Sequence, residues 1–228
     1  MVKAIISESI LGRAEKKGIV KYVIKNLFEF SDLPHSRIDD YPFGGGSGMV
    51  LKPEPIFRAY DSFVKNISDK KSCRFIFPTP DGEVLNHDLA LDLSKSRDLV
   101  FISGHYKGID QRVRDELVTD EISIGDYVLT GGELPSFVIL DSLIRLIPGV
   151  LNNYESAITD SFSGQLLDYP HFTRPEEFRK LTVPSVLLSG NHKKIEDWKK
   201  KESENKTKIR RPDLWKKYIK LEDGKKND

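Results

Sequence analysis

The sequence predicts an α/β protein built around a mostly parallel β-sheet. Three short apolar segments, residues 73–77, 98–103 and 122–129, have the length and composition of buried strands, and each ends at proline or glycine. Segments with helical spacing of apolar residues lie between and after them. Strands that alternate with helices are typical of βαβ units, in which neighbouring strands run parallel.

The elements before the first of these strands follow from turn residues and periodicity. Residues 12–24 predict the end of a helix, a turn at Gly18 and a strand. Residues 31–48 contain two prolines and four glycines and predict a loop. Residues 55–67 carry apolar side chains at a helical spacing and predict a helix.

The elements after the third strand divide the chain. Residues 134–147 predict a buried helix, and the polar stretch at 152–165 predicts a long loop, which in a compact protein is either functional or a linker. Residues 195–218 are mostly helical in pattern, with a break near Arg211-Pro212. We therefore predict an α/β domain over residues 1–151, an interdomain loop over 152–167 and a small helical domain over 168–228.

Composition limits the class of protein. Of 228 residues, 31% are charged and 38% hydrophobic, an ordinary globular balance. No apolar run approaches the roughly 20 residues that cross a bilayer, and no signal-peptide core follows Met1, so we expect no membrane association. Cys73 is the single cysteine, which excludes an internal disulfide, fits a reducing cytoplasm and argues against a zinc site.

Charge is unevenly distributed along the chain. Residues 193–228 contain 14 Lys and Arg against 8 Asp and Glu, a balance of +6, although the whole chain has a net charge of +1. A basic end on an acidic body fits a polyanionic partner such as RNA. A solvated, lysine-rich helix would give the same pattern, and charge alone does not separate the two.

A glycine-rich segment at residues 42–49 has four glycines within five positions. Glycine lets a backbone adopt positive φ and approach a ligand closely, although a flexible surface loop has the same composition. No Gly-Lys-Ser/Thr follows, so the segment is not a phosphate-binding Walker loop, and it does not match the Gly-x-Gly-x-x-Gly dinucleotide fingerprint. Nucleotide-dependent enzymes of these two types are thereby disfavoured.

Glycine also recurs at the three predicted strand ends, in residues 77–82, 104–110 and 124–135. Ligands of open α/β sheets bind beyond the carboxyl ends of the strands. Backbone N–H and C=O groups there would suit the edge of an adenine ring. Tight turns in any α/β protein would look similar.

Two charged residues stand out in the region that follows. Arg145 lies among apolar neighbours near a predicted helix end, where a permanent charge needs a carboxylate, carbonyl groups or a ligand. A structural ion pair would meet that need. Asp160 lies in the polar stretch, where it is a candidate functional carboxylate or a helix cap.

Eight motifs in this order resemble the signature of the bacterial TrmD-type tRNA (guanine-N1)-methyltransferases, over about residues 10–218. They lie at residues 12–14, 39–50, 108–113, 124–135, 147–150, 159–162, 170–175 and 188–192. Each motif alone is weak, but their order and spacing are specific. Three departures are visible: the family's opening strand is not found, Lys107 replaces a usual Glu, and residues 28–30 replace Arg-Asp-Phe.

The resemblance implies an S-adenosylmethionine-dependent methyltransferase of the SPOUT superfamily, with a trefoil-knotted α/β domain. It implies a cytoplasmic homodimer whose active site is shared between subunits, and a product, 1-methylguanosine, at position 37 of tRNA, immediately 3′ of the anticodon. Whether Mg²⁺ takes part stays open, and no metal-ligand set is assigned. By position, the cofactor-binding residues are Phe77, Pro78, Gly104, Tyr106, Ile124, Gly125, Tyr127, Leu129, Gly131, Gly132 and Pro135.

The resemblance also implies that Asp160 is the general base and Arg145 the conserved arginine of the family. These residue types suit the reaction, because guanine N1 must lose a proton before it becomes a good nucleophile. A carboxylate accepts that proton, and a guanidinium stabilises the negative charge that develops on O6. The alternative is a non-catalytic RNA-binding protein with the same fold, which the presence of both residues disfavours.

Overall fold

A computed structural model describes residues 1–32, 37–65, 67, 72–152 and 160–225. The chain forms two compact units, Met1–Asn152 and Asn153–Asp228. Of the predicted interdomain loop, residues 153–159 lie outside the described part. None of the helices in the described part combines the length and the apolarity that a bilayer crossing requires.

The first unit contains six α-helices, one 3₁₀ helix and five strands among its described residues. The α-helices are α1 (Val2–Ile6), α2 (Ser9–Lys16), α3 (Pro53–Val64), α4 (His87–Leu93), α5 (Gln111–Leu117) and α6 (Glu133–Ile144), and the 3₁₀ turn is Leu27–Phe30. The strands are β1 (Asp39–Asp40), β2 (Val50–Leu51), β3 (Cys73–Val84), β4 (Asp98–Phe101) and β5 (Asp120–Ser123).

The central sheet has the order β4-β3-β5, and both pairings are parallel. Cys73 of β3 lies opposite Asp98 of β4, and Ile76 lies opposite Asp120 of β5. Each of the three strands is followed by a helix, as the alternation of apolar segments predicts. The predicted α/β class and parallel sheet are therefore confirmed.

Helices cover both faces of this sheet. Ile76 on β3 and Ile122 on β5 join a buried cluster with residues of α2, α4 and α6. The next residue of β3, Phe77, joins a second cluster with residues of α3 and α5. Successive side chains of a strand point to opposite faces, so one strand contributes to both cores. Such a two-sided arrangement explains why Phe75, Ile76 and Phe77 of β3 form a continuous apolar run.

Strand β3 continues past Pro78, where the sequence predicts its end. Pro78 lies opposite Ile122, and after an irregularity Glu83 lies opposite the same residue. The four residues between them form an excursion from the ladder. A Cβ added to Gly82 would lie 2.4 Å from the carbonyl carbon of Glu121, so glycine is needed where the chain returns to β5.

The strand predicted after Gly18 is not formed, and this prediction is wrong. Gly18 has φ +70° and ends α2 with a turn, as expected. The residues that follow are held against α2 by side chains: the Tyr22 hydroxyl donates to the Leu11 carbonyl (3.2 Å), and Glu15 accepts from the Tyr22 amide (3.3 Å). Strand propensity alone does not supply a neighbouring backbone edge to pair with.

Two further elements differ from their prediction, one in where it ends and one in how deeply it is buried. Strand β5 ends at Ser123 rather than at residue 129, because Gly125 adopts φ +136° and turns the chain. Helix α6 begins and ends close to the predicted helix but is not fully buried, since Leu134 and Val138 are each 47% exposed. Both differences shape the region described below.

The second unit is mainly helical among its described residues. It contains the hairpin strands β6 (Glu177–Phe178) and β7 (Leu181–Thr182), followed by the helices α7 (Ser185–Leu188), α8 (His192–Arg210) and α9 (Pro212–Lys225). The helical break falls between Arg210 and Pro212, where the sequence predicts it.

The centre of this unit is polar as well as apolar. Thr207 of α8 is fully buried, and its hydroxyl donates to the Ser203 carbonyl and accepts from the Leu167 amide (2.8 Å). The Lys206 ammonium donates to the Asp168 carbonyl at 2.7 Å. These contacts hold residues 167–168, which precede the hairpin, against α8.

Candidate functional site

A cavity of about 300 Å³ lies at the carboxyl ends of β3, β4 and β5, in the first unit. It is lined by residues 77–80 of β3, by the loops that follow β4 and β5, and by the start of α6. All eleven residues predicted to bind the cofactor line this one cavity: Phe77, Pro78, Gly104, Tyr106, Ile124, Gly125, Tyr127, Leu129, Gly131, Gly132 and Pro135. Three separate segments of sequence therefore meet at one place.

The loop after β4 and the loop before α6 are held together backbone to backbone. The Gly132 amide donates to the Gly104 carbonyl at 2.7 Å, and His105 forms an isolated antiparallel bridge with Gly131. A Cβ on Gly132 would lie 2.6 Å from the Gly104 nitrogen. Gly132 is thus required by the contact of two protein backbones, whereas the sequence alone suggested a close approach to a ligand.

The wall that follows β5 is apolar and partly exposed. The Tyr127 amide donates to the Gly125 carbonyl (2.9 Å), and the Tyr127 hydroxyl donates to the Ile124 carbonyl (3.3 Å). A Cβ on Gly125 would lie 2.8 Å from the Tyr127 ring, so the glycine makes room for the tyrosine. Tyr127 is 54% exposed and Leu129 40% exposed, which leaves apolar surface open at the cavity.

Polar side chains that the sequence did not single out also line or support the cavity. His105 Nε2 lies 2.9 Å from Glu133 Oε1, a pairing across 28 positions that no local pattern encodes. Ser136 of α6 donates to the Gly132 carbonyl (2.7 Å) and lies 3.1 Å from the Ser103 hydroxyl. The only available signal was that His105 lies inside a glycine-bearing strand-end motif.

An arginine-centred network fixes the excursion of β3 beside the cavity. Arg114 donates to Asp81 (2.8 Å) and to both oxygens of Glu121 (2.7 and 2.6 Å). Its guanidinium also lies 5.6 Å from the ring centre of Phe77. The Thr79 hydroxyl and then the Arg114 guanidinium hold the pKa of Asp81 below its usual value. Two carboxylates on one guanidinium keep this edge of the cavity in place.

The glycine-rich segment lies next to the loop after β4. The Lys107 amide donates to the Met49 carbonyl and the Leu51 amide to the Gly108 carbonyl, both at 3.0 Å. Gly44, Gly45, Gly46 and Gly48 all have positive φ, between +80° and +111°. The composition of this segment therefore reflects a real backbone requirement.

Arg145 and Asp160 lie in different units. Arg145 directly follows α6 and is half-buried. Asp160 is half-buried at the start of a turn in which its carbonyl accepts from the Ser163 hydroxyl at 2.7 Å. Each of the two residues has interactions of its own within the protein. Their roles in catalysis stay predictions.

No metal site is apparent in the described ranges. No group of three or more His, Cys, Asp or Glu side chains there is placed to hold an ion.

The fold and the cavity together define an α/β protein whose candidate ligand site is built from the middle of β3 and from the loops after the two parallel strands beside it. The family model for "tRNA (Guanine-1)-methyltransferase TrmD" matches residues 1–217. The chain belongs to this family.

Relatives in several bacteria match over nearly their full length, and each is named tRNA (guanine-N(1)-)-methyltransferase. The protein of Anoxybacillus flavithermus is 52% identical over 226 residues, which cover 99% of this chain and 91% of the relative. That of Bacillus subtilis is 50% identical over 228 residues, 99% of this chain and 92% of the relative. That of Clostridioides difficile is 52% identical over 214 residues, 93% and 91% respectively.

Proposed function

We propose that this protein transfers a methyl group from S-adenosylmethionine to N1 of the guanosine immediately 3′ of the anticodon, position 37, and so makes 1-methylguanosine in tRNA. The observation that carries the proposal is that all eleven predicted cofactor residues line one cavity. Family membership over residues 1–217 and the names of the relatives support the same reaction.

The cavity fits S-adenosylmethionine in its chemistry. Apolar walls at Tyr127 and Leu129 suit the faces of an adenine ring, while backbone N–H and C=O groups near Gly104 and Gly131 suit its polar edge. A Cβ at Gly104 would lie 2.9 Å from the Phe77 ring and one at Gly131 would lie 2.6 Å from Glu133 Oε2, so both glycines allow the close packing of the loops that line the cavity. When bound there, the cofactor supplies an electrophilic methyl group.

The chain's own residues would prepare the guanine. Asp160 accepts the proton from N1, which turns N1 into a nucleophile. Arg145 donates to O6, where the negative charge of the deprotonated base develops. The remaining task is to hold N1 in line with the methyl group, which is a matter of positioning.

The rest of the expected architecture is proposed with this function. The first unit is proposed to contain a trefoil knot, which membership of the family supports. Residues 152–167 are proposed as the loop that carries the base, and residues 168–228 as a helical tRNA-binding domain. The net charge of +6 over residues 193–228 supports that last assignment. The location is proposed to be the cytoplasm, where tRNA is modified.

A homodimer with a shared active site is also proposed. Apolar side chains are exposed on α6 and on the loop before it: Val128 is 81% exposed, and Leu134 and Val138 are each 47% exposed. Such a cluster next to the cavity fits a surface that a second subunit covers. We leave a role for Mg²⁺ open.

The reaction is tested by mass spectrometry of nucleosides after tRNA is incubated with the protein and isotopically labelled S-adenosylmethionine. Labelled 1-methylguanosine is expected from a tRNA with G37 and not from the same tRNA with A37. Tight tRNA binding without any methylated nucleoside would instead favour the alternative, a non-catalytic RNA-binding protein of this fold.

A further inference from the structure

Lys107 gives the cavity wall its one full charge. Among the described residues that line the cavity, it is the one Lys, Arg, Asp or Glu. His105, the other basic side chain there, is paired with Glu133. Lys107 has no such ion pair within the described ranges.

The backbone on both sides of Lys107 is held in place. Its amide donates to the Met49 carbonyl (3.0 Å), and the Gly108 amide donates to the His105 carbonyl (2.9 Å). Tyr106 and Gly108 have φ of +59° and +118°. This turn therefore presents the lysine from a defined position at the cavity.

The aliphatic stem of Lys107 lies across Gly48. A Cβ built on Gly48 would be 3.0 Å from Lys107 Cγ and 3.4 Å from Cε. Glycine at position 48 thus leaves room for the stem. By contrast, a Cβ on Gly46, which has a similar positive φ, meets nothing within 4 Å. Gly48 is thus the glycine of this segment whose missing Cβ makes room for the Lys107 side chain, while Met49 holds the Lys107 amide.

We propose that the Lys107 ammonium binds the carboxylate of the amino-acid end of S-adenosylmethionine, with Gly48 as the positioning residue. The inference rests on the proposed function. The adenosine part of the cofactor is neutral and is served by backbone groups and apolar walls. Its single anionic group is the α-carboxylate, and the single fixed cation of the cavity wall is Lys107. A charge-assisted hydrogen bond between the two is the expected contact.

Calorimetry on the full-length protein separates this contact from the rest of the site. The two probes are S-adenosylhomocysteine, which has the carboxylate, and 5′-methylthioadenosine, which lacks the whole amino-acid end. Lys107→Met keeps the stem and removes the charge. It should weaken binding of the first probe about five- to tenfold, a modest loss for an exposed pair, and leave the second unchanged. Lys107→Arg should restore binding of the first.

The glycine pair provides a matched control. Gly48→Ala and Gly46→Ala both place a side chain at positive φ, but only the first displaces the lysine stem. Gly48→Ala should weaken the binding of S-adenosylhomocysteine more than the binding of 5′-methylthioadenosine. Gly46→Ala should change the affinity for the two probes equally. Melting temperatures identify any variant that fails to fold. If a glycine variant does not fold, Lys107→Met still tests the inference, because Lys107 is exposed and its replacement should not disturb folding.

Three results would overturn the inference. Equal affinity of the parent and Lys107→Met for S-adenosylhomocysteine would exclude the contact with the carboxylate and would leave the proposed function unaffected. A variant that loses tRNA affinity but not S-adenosylhomocysteine affinity assigns Lys107 to a phosphate of the RNA instead. Failure of the parent protein to bind either probe contradicts the proposed cofactor, and the inference falls with it.

Discussion

At the scale of single residues, the proposed chemistry depends on the Asp160 carboxylate. Asp160→Asn keeps the shape of the side chain and removes the proton acceptor, so single-turnover methyl transfer at neutral pH should fall at least about 100-fold. S-adenosylhomocysteine affinity should not change. Raising the pH should restore part of the rate, because a larger fraction of guanine N1 is then deprotonated without a base.

The turn at Asp160 supplies a control for this experiment. Ser163→Ala removes the 2.7 Å hydrogen bond to the Asp160 carbonyl and leaves the carboxylate in place. It should cost far less activity than Asp160→Asn. Near-parental methyl transfer by Asp160→Asn at neutral pH would exclude this residue as the base.

Arg145 is tested by its conservative replacement. Lysine keeps the charge but lacks the planar fork of the guanidinium, so Arg145→Lys should still reduce single-turnover methyl transfer substantially. If both residues serve one proton transfer, the double variant should lose less than the product of the two single losses. Full activity of Arg145→Lys would mean that a point charge suffices.

Residue-level prediction of which residues lie together succeeded where their placement depends on the backbone, while their role in binding the cofactor stays a prediction. The eleven cavity residues were placed by motif order, and the parallel sheet brings their loops to one edge. It did less well where a role depends on a partner distant in sequence. The His105–Glu133 pair spans 28 positions, and the contact that requires Gly132 is with Gly104, also 28 positions away.

At the scale of elements, the β6–β7 hairpin has an unusual turn. Its two central residues, Arg179 and Lys180, have φ of +53° and +66°, a region that costs about 1–2 kcal/mol for residues other than glycine. Lys180→Gly should therefore raise the stability of the second unit by about 1 kcal/mol after the loss of chain entropy.

Tryptophan fluorescence measures this effect directly. Both tryptophans, Trp198 and Trp215, lie in the second unit. Thr182→Gly is the control, because it makes the chain equally flexible at an exposed strand position where φ is not positive, and it should destabilise. A lower urea midpoint for Lys180→Gly would show that the turn is not strained.

A second element-scale prediction concerns the junction of β3 and β5. Arg74 Nε donates to Asp120 (2.9 Å), and Arg74 also contacts Asp92. Burial opposes ionisation of Asp120, but Arg74 and Thr119 outweigh it and hold its pKa below the usual 3.8. A carboxylate with a lowered folded-state pKa stabilises the fold above the unfolded pKa, and this contribution is lost as the pH falls through the folded value.

Asp120→Asn should therefore destabilise the protein by about 1–3 kcal/mol at pH 7, and the difference from the parent should shrink as the pH falls below about 4. Urea midpoints followed by circular dichroism at several pH values measure this. Asp61→Asn, an exposed carboxylate on α3, should leave the midpoint nearly unchanged. A pH-independent difference between Asp120→Asn and the parent would exclude linkage to this carboxylate.

Element prediction succeeded where one physical signal dominated. The apolar segments of β3 and β4, and the proline break between α8 and α9, could be predicted because burial and the missing amide hydrogen of Pro212 leave clear local patterns. The third predicted strand was placed less well, since β5 shares only Ile122 and Ser123 with it. The strand predicted near Tyr22 failed because β-branched residues there have no backbone edge to join. The return of β3 at Gly82 depends on contact with Glu121, which local sequence does not specify.

At the scale of the whole molecule, α8 presents a row of cations for the proposed RNA contact. Lys194, Lys201 and Lys208 are spaced seven residues apart, lie on one side of the helix and are exposed. Replacing all three with Gln should weaken tRNA binding and reduce the slope of log affinity against log salt by about 2–3, if each neutralises one phosphate. Cofactor affinity should not change.

Substitution is preferable to truncation before residue 193, because Thr207 and Lys206 hold the entering segment of the second unit against α8. The matched control replaces Lys3, Lys16 and Lys65, three exposed lysines of the first unit, with Gln. An equal loss of tRNA affinity in the control would show that only overall charge matters.

Cys73, at the start of β3, is 4% exposed, and burial followed by the charge of Asp98 raises the pKa of its thiol to about 11. It is also the single sulfhydryl of the chain. At neutral pH it is therefore protonated and shielded from alkylating reagents. A cysteine introduced on the surface could consequently carry a maleimide dye with the native thiol left in place. Donor and acceptor fluorophores could then follow RNA engagement in otherwise wild-type protein.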